Sequence, residues 1–133
     1  MTERNERNDR KKMNKQRRSP FIHAIRGFIE TYRSERNFKI HLACAALTIA
    51  LGIWVRLSIS DWRWIAFCIT LVFALELLNT AIEAVVDLLS PAYHPLAKKA
   101  KDAAAGAVLI GALFALIIGA LIFLPKLSVS FFD

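Results

Sequence analysis

The 133-residue sequence predicts an all-α membrane protein, three spanning helices following one shorter amphipathic helix, and three observations carry that prediction. Hydrophobic residues make up 56% of the chain, and a mean hydropathy of +0.40 exceeds what a soluble domain of this length usually carries. Three apolar stretches reach spanning length: about Phe38 to Val55, Trp62 to Val86 and Ala103 to Leu124, or ~27, ~37 and ~33 Å at ~1.5 Å per residue. Lys and Arg gather before the first stretch and between the second and third, so both segments are expected to be cytoplasmic and the C-terminus outside.

Residues 1–18, MTERNERNDRKKMNKQRR, read as a disordered cytoplasmic tail. The formal charge of +7 could suggest nucleic acid, but the tail has no aromatic for base stacking and leads into a membrane anchor. Anionic lipid headgroups or topology marking suit it better. No cleavable signal sequence is expected, because residues 1–20 hold no apolar core. Ser19 and Pro20 then signal a helix start, a capping hydroxyl followed by proline at the first helical position. Through PFIHAIRGFIETYR, Phe21, Ile22, Ile25, Phe28, Ile29 and Tyr32 keep helical spacing while His23, Arg26, Glu30 and Arg33 face elsewhere. That pattern, about fourteen residues long, is too short and too polar to span, and it suits a helix on the cytoplasmic surface.

Glu35 opens the first span, with Lys39 and His41 one turn into it; snorkelling accounts for Lys39 and an interfacial position for His41. Trp62 and Trp64 form an interfacial belt where the second span begins. Cys44 and Cys68 lie within spans, which favours packing roles over a disulfide or a metal pair. The segment SPAYHPLAKKAKDAA, punctuated by Pro91 and Pro95, is expected as a polar cytoplasmic connector. Its three lysines either follow the positive-inside rule or serve an anionic phosphate ligand. The third span carries small residues at every fourth position, Ala103, Ala107, Gly111, Ala115 and Gly119, a close-packing face for another helix. Residues 19–127 thus form one membrane-embedded domain, and 128–133 a short tail.

The second span holds the candidate site. Glu76, Asn79, Glu83 and Asp87 are spaced by three, four and four residues, which places them within ~80° of arc at ~100° per residue. A charge near the bilayer centre costs about 2.5 to 3.5 kcal/mol on insertion scales, so acids kept in one span need partners or a task. A polar network that only fixes helix packing is the plainer alternative, although small residues, Ser or Thr could achieve the same cohesion. The stripe runs from lipid at Glu76 towards the headgroups at Asp87. Oxygen ligands of this kind suit magnesium, which binds through one or two carboxylates together with substrate phosphates. A carboxylate withdrawn from water, as Glu76 is, suits general-base work. No GxxxxGK[ST], GxGxxG or HExxH occurs, and His23, His41 and His94 are scattered over three segments, which argues against zinc.

ELLNTAIEAVVD, followed by YHPLAKKAKDAAAGAVLI, resembles the signature of the prokaryotic diacylglycerol kinase family of small integral membrane lipid kinases, and the likeness covers roughly residues 19–126. ERNFKIHL, HPLAKKAKD and FLPKL resemble the branch that phosphorylates undecaprenol more closely than the branch acting on diacylglycerol. The resemblance implies a multi-pass homotrimer of the bacterial inner membrane that uses ATP and Mg2+, without a classical kinase motif. The implied reaction phosphorylates a membrane lipid alcohol, undecaprenol to undecaprenyl phosphate, with diacylglycerol as the alternative acceptor. The resemblance also implies roles: Glu76 as catalytic base on the lipid hydroxyl, Glu35 and Glu83 as magnesium ligands, and Asn79, Glu83, Asp87, Lys101 and Asp102 as the nucleotide-binding set. Two departures stand out. His41 occupies the place of an acid in the diacylglycerol branch, and RRSPFIHAIRG differs from the basic-serine pattern frequent in the family, so no nucleotide contact is assigned to the first helix. A small channel or proton-coupled transporter subunit, with the acidic stripe as its conduction path, is the rival from another class. Nucleotide binding separates the kinase from that rival, and a structural assembly protein is a third reading.

Overall fold

A computed structural model describes residues 20–132, and every regular element among them is a helix: α1 Pro20–Ser34, α2 Arg36–Trp54, α3 Ile59–Leu89 and α4 Pro95–Phe132. The basic tail and the capping role expected of Ser19 lie outside the described residues. Three of the helices, α2, α3 and the Pro95–Ser128 part of α4, are long and apolar enough to cross a membrane.

One extended residue separates α1 from α2. Glu35 has φ −94° and ψ 122°, yet its N–H still donates to the Thr31 carbonyl at 2.8 Å, so the α1 ladder runs up to the break. Glu35 occupies the N-cap of α2 without a side-chain cap bond. Its carboxylate is therefore uncommitted at the helix end. Lys39 reaches back to the Arg33 carbonyl at 3.1 Å and lies 5.9 Å from the centre of the Tyr32 ring.

The α2–α3 turn takes four residues and closes both helices with local chemistry. Arg56 adopts φ 52°, and its N–H donates to Ile53 O at 3.2 Å while Leu57 N–H donates to Gly52 O at 3.0 Å. This bond pair is a Schellman motif, built here on arginine where glycine is usual. Ser58 then opens α3 with a capping box: its hydroxyl accepts from Asp61 N–H at 3.2 Å, and the Asp61 carboxylate accepts from Ser58 N–H at 3.1 Å. Lys126 of α4 pairs with Asp61 at 3.1 Å, which ties the third helix to the same end. Leu57, Ile65 and Phe123 form a small core there, with Trp62 and Leu127 packed against it.

The polar connector is shorter than its composition suggests. α4 starts at Pro95, so AKKAKDAA is helical and only residues 90–94 connect α3 to α4. Pro95 supplies a preset φ at the first helical position. His94 caps the helix: its Nδ1 accepts from Leu96 N–H at 3.2 Å and its carbonyl accepts from Lys98 N–H at 3.1 Å. At the other end α4 passes through Pro125 and continues to Phe132, so the expected tail from residue 128 is helical as far as that residue. The Ser128 hydroxyl donates to the Pro125 carbonyl at 2.7 Å.

α3 and α4 pack along their length. α3 buries Ile65, Cys68, Val72, Glu76 and Asn79, at three- and four-residue steps on a single face. α4 buries Ala104, Val108, Gly111 and Phe123. The expected small-residue seam is met at Gly111, where an added Cβ would lie 2.5 Å from Leu75 Cδ1. Ala103 is exposed, and nothing lies within 4 Å of a Cβ at Gly119. The reason is that α2 stands off from this half of α4, so Ala115 and Gly119 line an open groove instead of a helix contact. Most remaining large side chains of α4, Leu109, Ile110, Leu116 and Ile117 among them, point outward. Such a surface belongs in hydrocarbon.

Candidate active site

Three aromatic rings from three helices set the position of the acids. Phe28 of α1, Phe38 of α2 and Phe73 of α3 form a triangle, with ring centres 4.9 Å apart for Phe28–Phe38, 5.1 Å for Phe38–Phe73 and 6.2 Å for Phe28–Phe73. Phe38 is fully buried. α2 and α3 run antiparallel, so Glu35, three residues before Phe38, comes level with Glu76, three residues after Phe73, while His41 lies on the other side of the aromatic contact. Glu76 is only 2% exposed.

From Glu76 the polar line continues towards the end of α3. Thr80 Oγ1 donates to the Glu76 carbonyl at 3.0 Å, and Asn79 Nδ2 donates to Glu83 Oε1 at 3.1 Å. Asn79 Oδ1, also buried, has no hydrogen-bond partner. Because Glu83 offers only acceptor atoms to Asn79, the amide orientation is fixed and the orphan is an acceptor. Asp87 is largely exposed and pairs with Lys101 of α4 at 2.6 Å. Asp102 points instead to Lys98, one turn back on its own helix. The structure thus places Glu76, Asn79 and Glu83 along one face of α3, with Asn79 bonded to Glu83, pairs Asp87 with Lys101, puts Glu35 at the N-cap of α2, and leaves Asp102 at the rim. Among the described residues no three His, Cys, Asp or Glu side chains converge tightly enough to hold a metal by themselves.

A cavity of about 530 Å³ adjoins this line, bounded by α2, α3 and α4. It runs from Ile40 and His41 to Phe123 and Leu124, with Ala45, Val72 and Gly119 along its walls. His41 and Thr48 are its hydrogen-bonding side chains, and the Cys44 and Cys68 thiols complete the lining. An apolar trough of this size can hold a hydrocarbon chain, and its wall at Val72 and Phe73 is one helical turn from Glu76.

Sequence reasoning missed the aromatic triangle. That Phe38 meets Phe73 was not readable from spacing within either helix.

The model of the family described as prokaryotic diacylglycerol kinase matches residues 22–123. The undecaprenol kinase of Bacillus subtilis (strain 168) is 57% identical over 107 residues, which cover 80% of this chain and 87% of that protein. The diacylglycerol kinase of Synechocystis sp. is 43% identical over 108 residues, covering 80% of this chain and 62% of the relative. The diacylglycerol kinase of Escherichia coli (strain K12) is 32% identical over 92 residues, or 69% of this chain and 75% of that protein.

Proposed function

Because this chain belongs to the prokaryotic diacylglycerol kinase family, we propose that it transfers the γ-phosphate of ATP to the hydroxyl of a membrane lipid, with undecaprenol as the first acceptor and diacylglycerol as the second. The observation that carries this reading is Glu76: a carboxylate 2% exposed, at the head of a line of polar groups and one turn from Val72 and Phe73 in the wall of the apolar groove. The lipid chain lies in the groove and its hydroxyl reaches Glu76. Glu76 takes the hydroxyl proton as the lipid oxygen attacks the γ-phosphorus; the bond from that phosphorus to the bridging oxygen breaks and ADP leaves. The proton later passes from Glu76 to solvent.

The donor set fits magnesium. That ion keeps several waters and needs only one or two protein carboxylates beside substrate phosphates, so it does not require a closed cluster of acids. Glu35 and Glu83 would hold it, and the orphaned Asn79 Oδ1 would accept a hydrogen from one of its waters. Bound there, it supplies positive charge against the transferring phosphate. Lys101 adds a second positive charge at the inner end of the line. Asp87 and Asp102 are acceptors only, so they serve the nucleotide by holding Lys101 and Lys98 rather than by meeting phosphate oxygens.

We further propose that the enzyme is a homotrimer of the bacterial inner membrane, with the N-terminus cytoplasmic, the C-terminus outside and α1 lying along the cytoplasmic surface. Three helices leave the open groove and the outward faces of α4 to be covered by neighbouring copies or lipid. The test is ATP consumption by purified protein offered undecaprenol and diacylglycerol side by side in mixed micelles. A higher kcat/KM for undecaprenol supports the first acceptor, a higher value for diacylglycerol replaces it with the second, and no turnover with either overturns the kinase reading.

A further inference from the structure

We infer that the α2–α3 turn carries a binding site for an anionic phospholipid: the guanidinium groups of Arg56 and Arg63 hold the phosphodiester of its headgroup, with Trp54 and Trp64 alongside. The site lies at the end of the bundle away from Glu76. Only the choice of leaflet, the outer one, rests on the orientation proposed above.

Three observations meet at this turn. Among the described residues its charged side chains are Arg56, Asp61, Arg63 and, from α4, Lys126. Asp61 is fully engaged, since it accepts from the Ser58 N–H and hydroxyl and pairs with Lys126. Arg56 and Arg63 are exposed and make no ion pair or side-chain hydrogen bond among the described residues. Two uncommitted cations thus share one short segment, at the end where the proposed orientation leaves lysine and arginine scarce. Secondly, Arg56 has φ 52°, a left-handed position that glycine fills without penalty. Nothing within the chain uses the side chain that incurs this penalty, which points to a group outside it. Thirdly, the level suits a headgroup. Leu57 and Trp62 both pack on Gly52, so the turn and the start of α3 form one unit. Arg63 lies four residues past Ile59, ~6 Å along α3, and the headgroup layer on each side of a bilayer is ~5 to ~8 Å deep. Trp54 and Trp64 are 60% and 50% exposed, as interfacial aromatics are.

The chemistry of the groups selects the lipid. A guanidinium presents a planar fork of donors that matches two oxygens of a phosphodiester. Phosphatidylglycerol carries that phosphodiester with no cation of its own. In phosphatidylcholine the headgroup ammonium offsets the charge, and the one acid at this end, Asp61, is already occupied and cannot receive it. The backbone at the start of α3 adds little, because Ser58 and Asp61 cap each other there. Recognition therefore falls to the two arginines.

The chain's three tryptophans, Trp54, Trp62 and Trp64, all lie at this end. Intrinsic fluorescence therefore reports this site and not the lysine-rich end beside Asp87. Full-length wild type, Arg56→Gly, Arg63→Gln and the double variant are reconstituted in phosphatidylcholine bilayers, with brominated phosphatidylglycerol or brominated phosphatidylcholine as a minor component. Bromine quenches a tryptophan that the lipid touches. In the wild type, half-maximal quenching by the glycerol lipid should need about a three- to tenfold lower mole fraction than quenching by the choline lipid. Each single variant should lose part of that preference and the double variant all of it. Both arginines are exposed and Arg56→Gly relaxes the backbone, so a lost preference is not a lost fold. Inorganic phosphate, added at constant ionic strength, should leave the quenching unchanged. Equal quenching by the two lipids in the wild type, or an undiminished preference in the double variant, overturns the inference. Displacement of the brominated lipid by inorganic phosphate overturns the assignment to a lipid. The readout needs no turnover, so this site and the kinase reading fail independently.

Discussion

Replacing Glu76 by glutamine removes an ionisable group and almost nothing else. The position is 2% exposed, and the amide matches the carboxyl in shape, so neither a cavity nor a steric clash is introduced. The Thr80 bond goes to the backbone carbonyl and survives. Positioned general bases contribute about 10² to 10⁴ in rate, or ~2.7 to ~5.4 kcal/mol at ~1.36 kcal/mol per tenfold, so kcat should fall within that range. Nucleotide binding should hold, because Glu83 lies seven residues on, ~10.5 Å along α3, with Lys101 beyond it. The matching variant, Glu83→Gln, can still accept from Asn79 Nδ2 but loses the charge that faces the metal and nucleotide, so the KM for MgATP should rise while the lipid KM stays put. Steady-state kinetics with each substrate varied in turn, alongside direct nucleotide titration, measure both outcomes. Glu76→Gln retaining kcat within about fivefold of wild type would refute the base assignment. Equal loss of ATP affinity in the two variants would refute the separation of roles by depth.

Turnover should vanish in excess EDTA and return on adding magnesium; activity indifferent to the chelator sinks the metal role. Gly52→Ala should lower Tm in detergent, by overpacking worth about 1–3 kcal/mol, since a Cβ there would lie 2.9 Å from both Leu57 Cδ1 and Trp62 Cη2; an unchanged Tm refutes the tight turn. Arg56→Gly should raise Tm by relieving a left-handed φ of 52°, a cost of about 1–2 kcal/mol for an L-residue, and a fall in Tm contradicts that strain. Co-assembling inactive Glu76→Gln subunits with inactive Asp102→Asn subunits should restore part of the activity if one site draws on two chains. No recovery despite proven mixing places the whole site within one subunit.

The helices and the polar face were legible because both follow from periodicity within single segments. Apolar runs of membrane length marked α2, α3 and α4, and steps of three and four put Glu76, Asn79 and Glu83 on one side. What periodicity within a segment cannot report is contact between segments. The landing of Leu75 on Gly111 is such a contact, and so is the pairing of Lys101 with Asp87. The connector was misjudged for a different reason: lysines and alanines following two prolines read as polar loop, yet Pro95 at a first helical position and a capping His94 begin a helix there. Seeing that His94 could cap required its geometry, since histidine is not among the favoured capping residues.

The turn between α2 and α3 has a mechanical meaning for a substrate that never leaves the bilayer. Schellman bonds, a capping box and the Lys126–Asp61 pair all gather at the end of the bundle away from Glu76. The groove beside α2 is lined by side chains rather than crossed by hydrogen bonds between helices. The turn fixes the α2–α3 hairpin at one end, and the packing of Phe38 on Phe28 and Phe73 fixes it at the other. The apolar groove lies open along the side between them, so a long lipid can enter from the surrounding leaflet without any part of its tail crossing water.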